Sequence, residues 1–319
     1  MKLIITIPAL NEEDTIVNTI SAIPESINGI NEIVVLVVDD GSTDNTADLA
    51  AKAGAQVVSH GHNKGVGSAF QSAVHFALEN FADVLVSIDA DGQFDPHQIP
   101  LLLSPILTRK ADMVLGNRFL SGQPEDMPPI KFSGNKWIAN FLSNISGQKF
   151  TDVSCGFRAY NRETLFRLNV YGKFTYTHET ILSAVFQGLK VVEVPVSVRY
   201  FPERKSRVAG SIPKYALQAS KIIMRVLLDY RPLNVFGITG LVFSLIGLAF
   251  GVFLLVHYFI THAFTPYKTF GFLSLGFIIF GLVIFVIALV SDMLNRMKSN
   301  QEKMLYELKK IRYEKHRDD

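Results

Sequence analysis

Two stretches without a single Asp, Glu, Lys or Arg, residues 233–260 and 270–290, limit what this chain can fold into. Each is long enough, as a helix, to cross a hydrocarbon core of roughly 30 Å. Before them the pattern is the mixed one of a water-exposed domain. The 319 residues therefore divide into a large N-terminal domain, 1–210, a segment 211–231, two transmembrane helices within 232–291 and a charged helical tail, 292–319. The connector between the apolar runs holds one lysine, Lys268. Lys221, Arg225 and Arg231 precede the first run, and Arg296, Lys298, Lys303, Lys309, Lys310, Arg312, Lys315 and Arg317 follow the second. This basic excess predicts a multi-pass protein of the cell membrane with the N-terminal domain and both termini in the cytoplasm.

A net charge of +2 argues against a nucleic-acid-binding protein. The single cysteine, Cys155, excludes an internal disulfide and fits a reducing compartment. Residues 1–8 form too short an apolar run for a signal peptide and read as a first strand.

Strand patterns at 3–8, 32–39, 56–59, 84–89 and 113–116 alternate with helical patterns at 12–23, 43–53, 66–80 and 96–107. Asp95 reads as an N-cap with Pro96 at the first helical position. The alternation predicts an α/β domain with a mostly parallel sheet covered on both faces, whose ligands sit beyond the carboxyl ends of the strands. Asn11-Glu12, Asp39-Asp40, Asn63 and Asp89–Asp91 all fall there. From 212 to 230 apolar residues recur at helical spacing with Lys214, Lys221 and Arg225 on the other face, which predicts a basic amphipathic helix in the membrane interface. In the tail, Leu294, Met297, Met304, Leu308 and Ile311 fall near heptad positions interrupted by Gln301. A solvated charged helix is expected there, with a short coiled coil as the alternative and a homo-oligomer through the tail and membrane helices as its consequence.

Chemistry concentrates at Asp89-Ala90-Asp91-Gly92-Gln93, directly after the apolar run 84–88. Two carboxylates at i and i+2 beyond a strand end are hard oxygen ligands suited to Mg²⁺ or Mn²⁺ carrying a phosphorylated substrate. The turn Asp39-Asp40-Gly41-Ser42 places another carboxylate where it could accept hydrogen bonds from a base or ribose. Asn63-Lys64-Gly65-Val66-Gly67 is only a faint dinucleotide fingerprint. It follows the third strand rather than the first, and Phe70 stands where the third glycine belongs.

These segments occur in one order with Pro8-Ala9-Leu10-Asn11-Glu12, Gly116-Asn117-Arg118-Phe119, Asp152-Val153-Ser154-Cys155-Gly156-Phe157-Arg158 and Ser206-Arg207-Val208. The set resembles family 2 glycosyltransferases with the glycosyltransferase A fold, and within them the dolichyl-phosphate mannosyltransferase and polyprenyl-phosphate glycosyltransferase group. The resemblance covers roughly residues 1–230. It implies that Pro8, Leu10, Glu12, Val37 and Asp39 line a nucleoside pocket. Asp89, Ala90 and Asp91, with the Gln93 side chain, would hold the metal and the donor diphosphate. Arg118, Arg204 and Arg207 would handle phosphates. Lys131, or Lys136 in its place, would supply the basic residue common after the Gly-x-Arg motif. Glu179 stands where relatives with hydroxyl acceptors carry a catalytic carboxylate, and is expected here to orient groups near the acceptor.

The implied reaction is an inverting transfer of a hexose from GDP-mannose, UDP-glucose or UDP-N-acetylglucosamine to a polyprenyl or dolichyl monophosphate. Such an acceptor oxygen is already anionic near neutral pH, so cationic grip matters more than a strong base. Guanidinium forks suit that task, and the arginines at 199, 204 and 207, just before the amphipathic segment, read as the acceptor site with Glu179 beside them. A processive polysaccharide synthase is a second reading, but no Gln-x-x-Arg-Trp signature is present. A catalytically silent scaffold is a third, opposed by the intact Asp89, Asp91 and Gln93.

Overall fold

The computed structural model describes residues 1–201 and 232–314, except 121, 125, 126, 128, 170, 171 and 173–175, together with residues 217, 220, 221, 224, 225, 227 and 228. It falls into two compact units, Met1–Ile223 with Tyr306–Asp319, and Met224–Leu305.

The first unit is built on seven strands, β1 (Lys2–Ala9), β2 (Glu32–Asp39), β3 (Gln56–Ser59), β4 (Val84–Ser87), β5 (Met113–Asn117), β6 (Arg158–Asn161) and β7 (Val191–Pro195), in the order β3-β2-β1-β4-β6-β5-β7. The β1–β2, β1–β4, β2–β3 and β5–β7 pairs are parallel. Strand β6 is antiparallel to both neighbours, with Ala159 opposite Val86 on one side and Val114 on the other. Branched apolar residues covered on both faces make β1, β4 and β5 strands. Leu3, Ile5, Ile7, Val84, Val86 and Val114 are wholly buried in one core.

Helices α1 (Ile16–Ser21), α2 (Thr46–Lys52), α3 (Val66–Glu79) and α4 (Ile99–Leu107) connect the first five strands. The expected cap is present: Asp95 accepts from the His97 N–H, and Pro96 opens a 3₁₀ turn that leads into α4. Three further helices, α5 (Pro129–Ser146), α6 (Arg162–Arg167) and α7 (Thr177–Phe186), lie beyond the alternating pattern, as do β6 and β7. The expected amphipathic segment 211–231 lies outside the described residues, except for seven that are helical.

The second unit holds α8 (Pro232–Thr261) and most of α9 (Lys268–Glu314). Both are long and apolar enough to cross a membrane, and only 11% and 17% of their most apolar windows are buried. Core helices of a water-soluble protein are mostly covered, unlike these. The two helices meet through small residues. A Cβ on Gly247 would stand 2.8 Å from the Ser274 carbonyl oxygen and 2.8 Å from Ile278 Cγ1, and Ser274 Oγ donates to the Gly247 carbonyl at 2.7 Å. Close backbone approach of this kind is how helices associate where lipid tails remove the hydrophobic drive.

The last turns of α9 belong to the first unit. Tyr306 Oη donates to Glu163 at 2.9 Å, and Tyr313 Oη meets His75 Nδ1 at 2.9 Å. Lys309 Nζ donates to the Leu168 carbonyl at 3.0 Å and to Asn169 Oδ1 at 2.8 Å. A cation on those carbonyls closes the C-terminal end of α6. Burial lowers the Lys309 ammonium to about 8. The tail is therefore not solvated all round: one face is docked.

Gly247→Leu should force α8 and α9 apart at a cost of about 1–3 kcal/mol. Thermal unfolding followed by circular dichroism in detergent should show a lower midpoint, and an unchanged midpoint would show that the contact contributes nothing.

Candidate active site

The acidic turns collect beyond the carboxyl ends of β1, β2 and β4, and they are laced together. Asn11 N–H donates to Ser42 Oγ at 2.9 Å, Thr43 N–H to Asn11 Oδ1 at 2.7 Å and Glu12 N–H to Thr46 Oγ1 at 2.7 Å. Asp39 is buried and accepts from the Ser42 N–H at 3.0 Å. Asp40 does different work: its carboxylate accepts from the Lys64 and Gly65 N–H groups at 3.0 and 2.7 Å and meets His60 Nδ1 at 2.7 Å. His60 Nε2 lies 2.9 Å from Ser72 Oγ. This chain presses the 62–65 turn onto Gly41, where φ is 82° and a Cβ would stand 2.6 Å from the His62 carbonyl carbon. Only glycine fits that backbone.

Pro8, Leu10 and Glu12 sit on the rim of this region, each partly exposed. Val37 does not. It is wholly buried in the core beside Ile7, so it offers a nucleoside no surface, which corrects its expected role. Ala90 is nearly as buried, and its carbonyl accepts from Thr15 Oγ1 at 2.8 Å, which pins the Asp89–Asp91 turn to α1.

Asp89 and Asp91 project from the end of β4. Asp91 Oδ1 accepts from the Gln93 main-chain N–H at 3.0 Å, a contact other than the side-chain role expected for Gln93. Gly156, at the approach to β6, leaves the room that Asp89 occupies. A Cβ there would stand 2.8 Å from one carboxylate oxygen and 2.9 Å from the other. Burial and the neighbouring Asp91 carboxylate push Asp89 up to about 7, against the pull of Arg118 and Arg158. Like-charged carboxylates that act on each other in this way favour a shared cation. Among the described residues no cluster of three or more His, Cys, Asp or Glu side chains could cage a metal alone. The donor set fits Mg²⁺ or Mn²⁺ held by two carboxylates and completed by substrate phosphate and water.

Arg118 departs from expectation. Its Nε and Nη2 grip Asp152 at 2.7 and 2.9 Å, Nη2 also donates to Ser154 Oγ at 2.8 Å, and Nη1 to Tyr200 Oη at 3.2 Å. Burial alone would raise the Asp152 carboxyl, but the charge and hydrogen bonds of Arg118 outweigh it and hold the group below its usual value. The bidentate fork is thus engaged by Asp152, Ser154 and Tyr200. Arg158, which the sequence did not mark as functional, is wholly buried and donates to the Cys155, Thr177 and Val153 carbonyls at 2.7, 2.7 and 2.9 Å. It ties the 152–157 loop to α7.

Glu179 is buried on α7 and accepts from the Gly172 N–H at 2.9 Å. Beside it, burial and Arg158 lower the His178 imidazole to about 4. Cys155 is buried and its thiol is pushed up to about 12, so it is no nucleophile. Arg199 is exposed, and its N–H donates to the Gln93 carbonyl at 2.9 Å beside the Phe94–Val198 bridge. One residue of the expected acceptor site is thereby tied to the Asp89–Gln93 turn. Arg204 and Arg207 lie outside the described residues, as does the Lys131 side chain, whose backbone belongs to α5.

The sequence profile of glycosyl transferase family 2 matches residues 4–167. The chain belongs to that family. Among its relatives, an undecaprenyl-phosphate mannosyltransferase of Micrococcus luteus is 31% identical over 225 residues, 66% of this chain and 89% of that one. A UDP-N-acetylglucosamine–dolichyl-phosphate N-acetylglucosaminyltransferase of Methanococcus voltae is 29% identical over 215 residues, 61% of this chain and 84% of that one. In fold the chain is similar to Mycobacterium tuberculosis glucosyl-3-phosphoglycerate synthase, solved with Mn²⁺ and UDP, at a TM-score of 0.55 and 22% identity over 71% of this chain and 78% of that one. The seven-stranded unit thus has a glycosyltransferase A-like fold, and the chain is a glycosyltransferase.

The raised Asp89 carboxyl gives a signed test. Between about pH 4 and pH 7 the folded chain holds more protons at Asp89 than the unfolded chain, so this group lowers stability as pH rises through that window. Metal-stripped protein should therefore lose melting temperature from about pH 5 to pH 8, and Asp89→Asn should lose less. Added Mg²⁺ or Mn²⁺ should restore more stability at the higher pH. Identical profiles for parent and variant would count against the assignment.

Proposed function

We propose that this glycosyltransferase moves a hexose from a nucleotide sugar to a polyprenyl or dolichyl monophosphate, with inversion at the anomeric carbon, and depends on a divalent metal. The observation that carries the reading is the Asp89–Asp91 turn, with Asp89 near neutrality and the exposed Arg199 tied through its backbone to Gln93. The names of the two relatives, both acting with lipid phosphates, and the two apolar helices support the acceptor class. GDP-mannose, UDP-glucose and UDP-N-acetylglucosamine remain the candidate donors.

Asp89 and Asp91 would hold the metal, and Gln93 orients Asp91 through its main-chain N–H. When bound, the divalent ion supplies positive charge against the departing diphosphate. Pro8, Leu10, Glu12 and Asp39 frame the nucleoside, while Lys131 and the Ala90 turn lie along the donor. Arg199, Arg204 and Arg207 bring the acceptor phosphate into line against its repulsion from the donor. Glu179 shapes the loop at Gly172 and is not the base. The acceptor oxygen needs none. Arg118 acts through Asp152 by holding the 152–154 loop.

Purified protein should transfer sugar from one of these donors to a short polyprenyl phosphate, giving an inverted, phosphate-linked product. Asp91→Asn should lower turnover by at least two orders of magnitude. Arg204→Ala or Arg207→Ala should each remove about 1.5–3 kcal/mol of transition-state binding, one to two orders of magnitude in rate, and more than Glu179→Gln removes. If Glu179→Gln abolished turnover while both arginine variants stayed near the parent rate, the acceptor would be a hydroxyl.

The catalytic unit and both termini are proposed to be cytoplasmic. In a Cys155→Ser background, Ala263→Cys should react with an impermeant thiol reagent on intact cells and Ser299→Cys should not. The reverse pattern would invert the topology.

A further inference from the structure

Beyond its charge-free stretch, α9 has two opposite faces with different fates. On one, Tyr306, Lys309 and Tyr313 are occupied by Glu163, Leu168, Asn169 and His75. On the other, Leu294, Met297, Met304, Leu308 and Ile311 are 58, 51, 66, 60 and 61% exposed. With Gln301, also exposed, the stripe advances by alternating steps of three and four residues. Those are the a and d positions of a heptad: a at Leu294, Gln301 and Leu308, d at Met297, Met304 and Ile311. The same register puts Tyr306 and Tyr313 at f and Lys309 at b, the positions farthest from such a seam.

We propose that residues 294–311 form a parallel, two-stranded coiled coil between two copies of this chain. Three observations converge on a second copy as the occupant. The stripe is self-complementary, since identical knobs meet identical holes across a two-fold axis. The charges flanking it select parallel pairing. Glu307 falls at g and Arg312 at the following e, both exposed, so each Glu307 faces the Arg312 of the other copy. Antiparallel pairing sets g against g and would bring Asn300, Glu307 and Glu314 together without a cation. Gln301 at an a position can pair with its counterpart only when the two helices are aligned without offset, so the one polar interruption of the stripe specifies the register. An isolated seam this short would be marginal in water, because the helix itself must first form. Here the helix is already formed, as part of a 47-residue element whose opposite face is fastened by Tyr306, Lys309 and Tyr313. Association therefore costs little ordering entropy.

The test uses the full chain in detergent micelles. Buried Cys155 is left in place, and the parent serves as the control for it. Mild oxidation should link Met297→Cys, Met304→Cys and Ile311→Cys, all at d, into disulfide dimers, and should leave Ser299→Cys, at f, largely monomeric. In an antiparallel pair centred on Met304, the two copies of position 297 would lie roughly 21 Å apart, so only the middle site would link. Native mass measurement should give a dimer for the parent and a monomer for Met304→Glu/Leu308→Glu. Both side chains are more than half exposed, so circular dichroism should be unchanged and should separate lost association from unfolding. A monomeric parent, linkage at Ser299→Cys equal to that at the d positions, linkage at Met304→Cys alone, or a larger assembly would each overturn the proposal. A monomer that binds liposomes through the stripe would assign the face to lipid instead.

Discussion

Two carboxylates at the end of one buried strand repel each other, and much of the catalytic unit answers that repulsion. Asp89 stands where burial and Asp91 both oppose its ionisation. The surrounding chain moderates the cost without removing it. Gly156 makes room for the group, Arg118 and Arg158 act on it from a distance, and Thr15 holds the turn through the Ala90 carbonyl. Neither arginine makes a direct salt bridge to Asp89 among the described contacts. Arg118 is committed to Asp152 and Arg158 to main-chain carbonyls. A direct guanidinium partner would satisfy the carboxylate and dull its demand for a cation. Holding the cations at one remove leaves a site that is stable enough to fold and still short of positive charge.

The antiparallel insertion of β6 makes this possible. By running between β4 and β5, it brings the 152–157 loop back across the end of β4, so that Gly156 reaches Asp89 and Arg158 reaches α7. Strand β7 extends the same edge. The segment after it returns to the Asp89–Gln93 turn through the Phe94–Val198 bridge.

The first five strands and the acidic turns were legible because branched apolar runs end in Asp, Asn and Gly, a pattern set by local chemistry. The later elements were not legible, for a definite reason. Strand β6 begins with an arginine and ends with an asparagine, and α7 buries His178 and Glu179, so their polarity reads as surface. What makes these residues interior is tertiary: carbonyls gathered around Arg158, and the Gly172 N–H on Glu179. The Arg118–Asp152 pair was not legible either, since its partners lie 34 residues apart and nothing local announces it. Val37 was assigned to the pocket by resemblance although its strand register turns it into the core. In the tail the apolar period was visible. The docked face was not, because its anchors are two tyrosines and a lysine, residues that carry no hydrophobic pattern.

The Asp40–His60–Ser72 chain has a consequence for how the 62–65 turn moves. The Lys64 and Gly65 amides belong to an exposed turn, yet both donate to a carboxylate that is itself buried. Their hydrogens can exchange with solvent only when the bonds to Asp40 break, and Asp40 is itself held by His60. These two amides should therefore exchange more slowly than unbonded loop amides, although they lie at the water's edge.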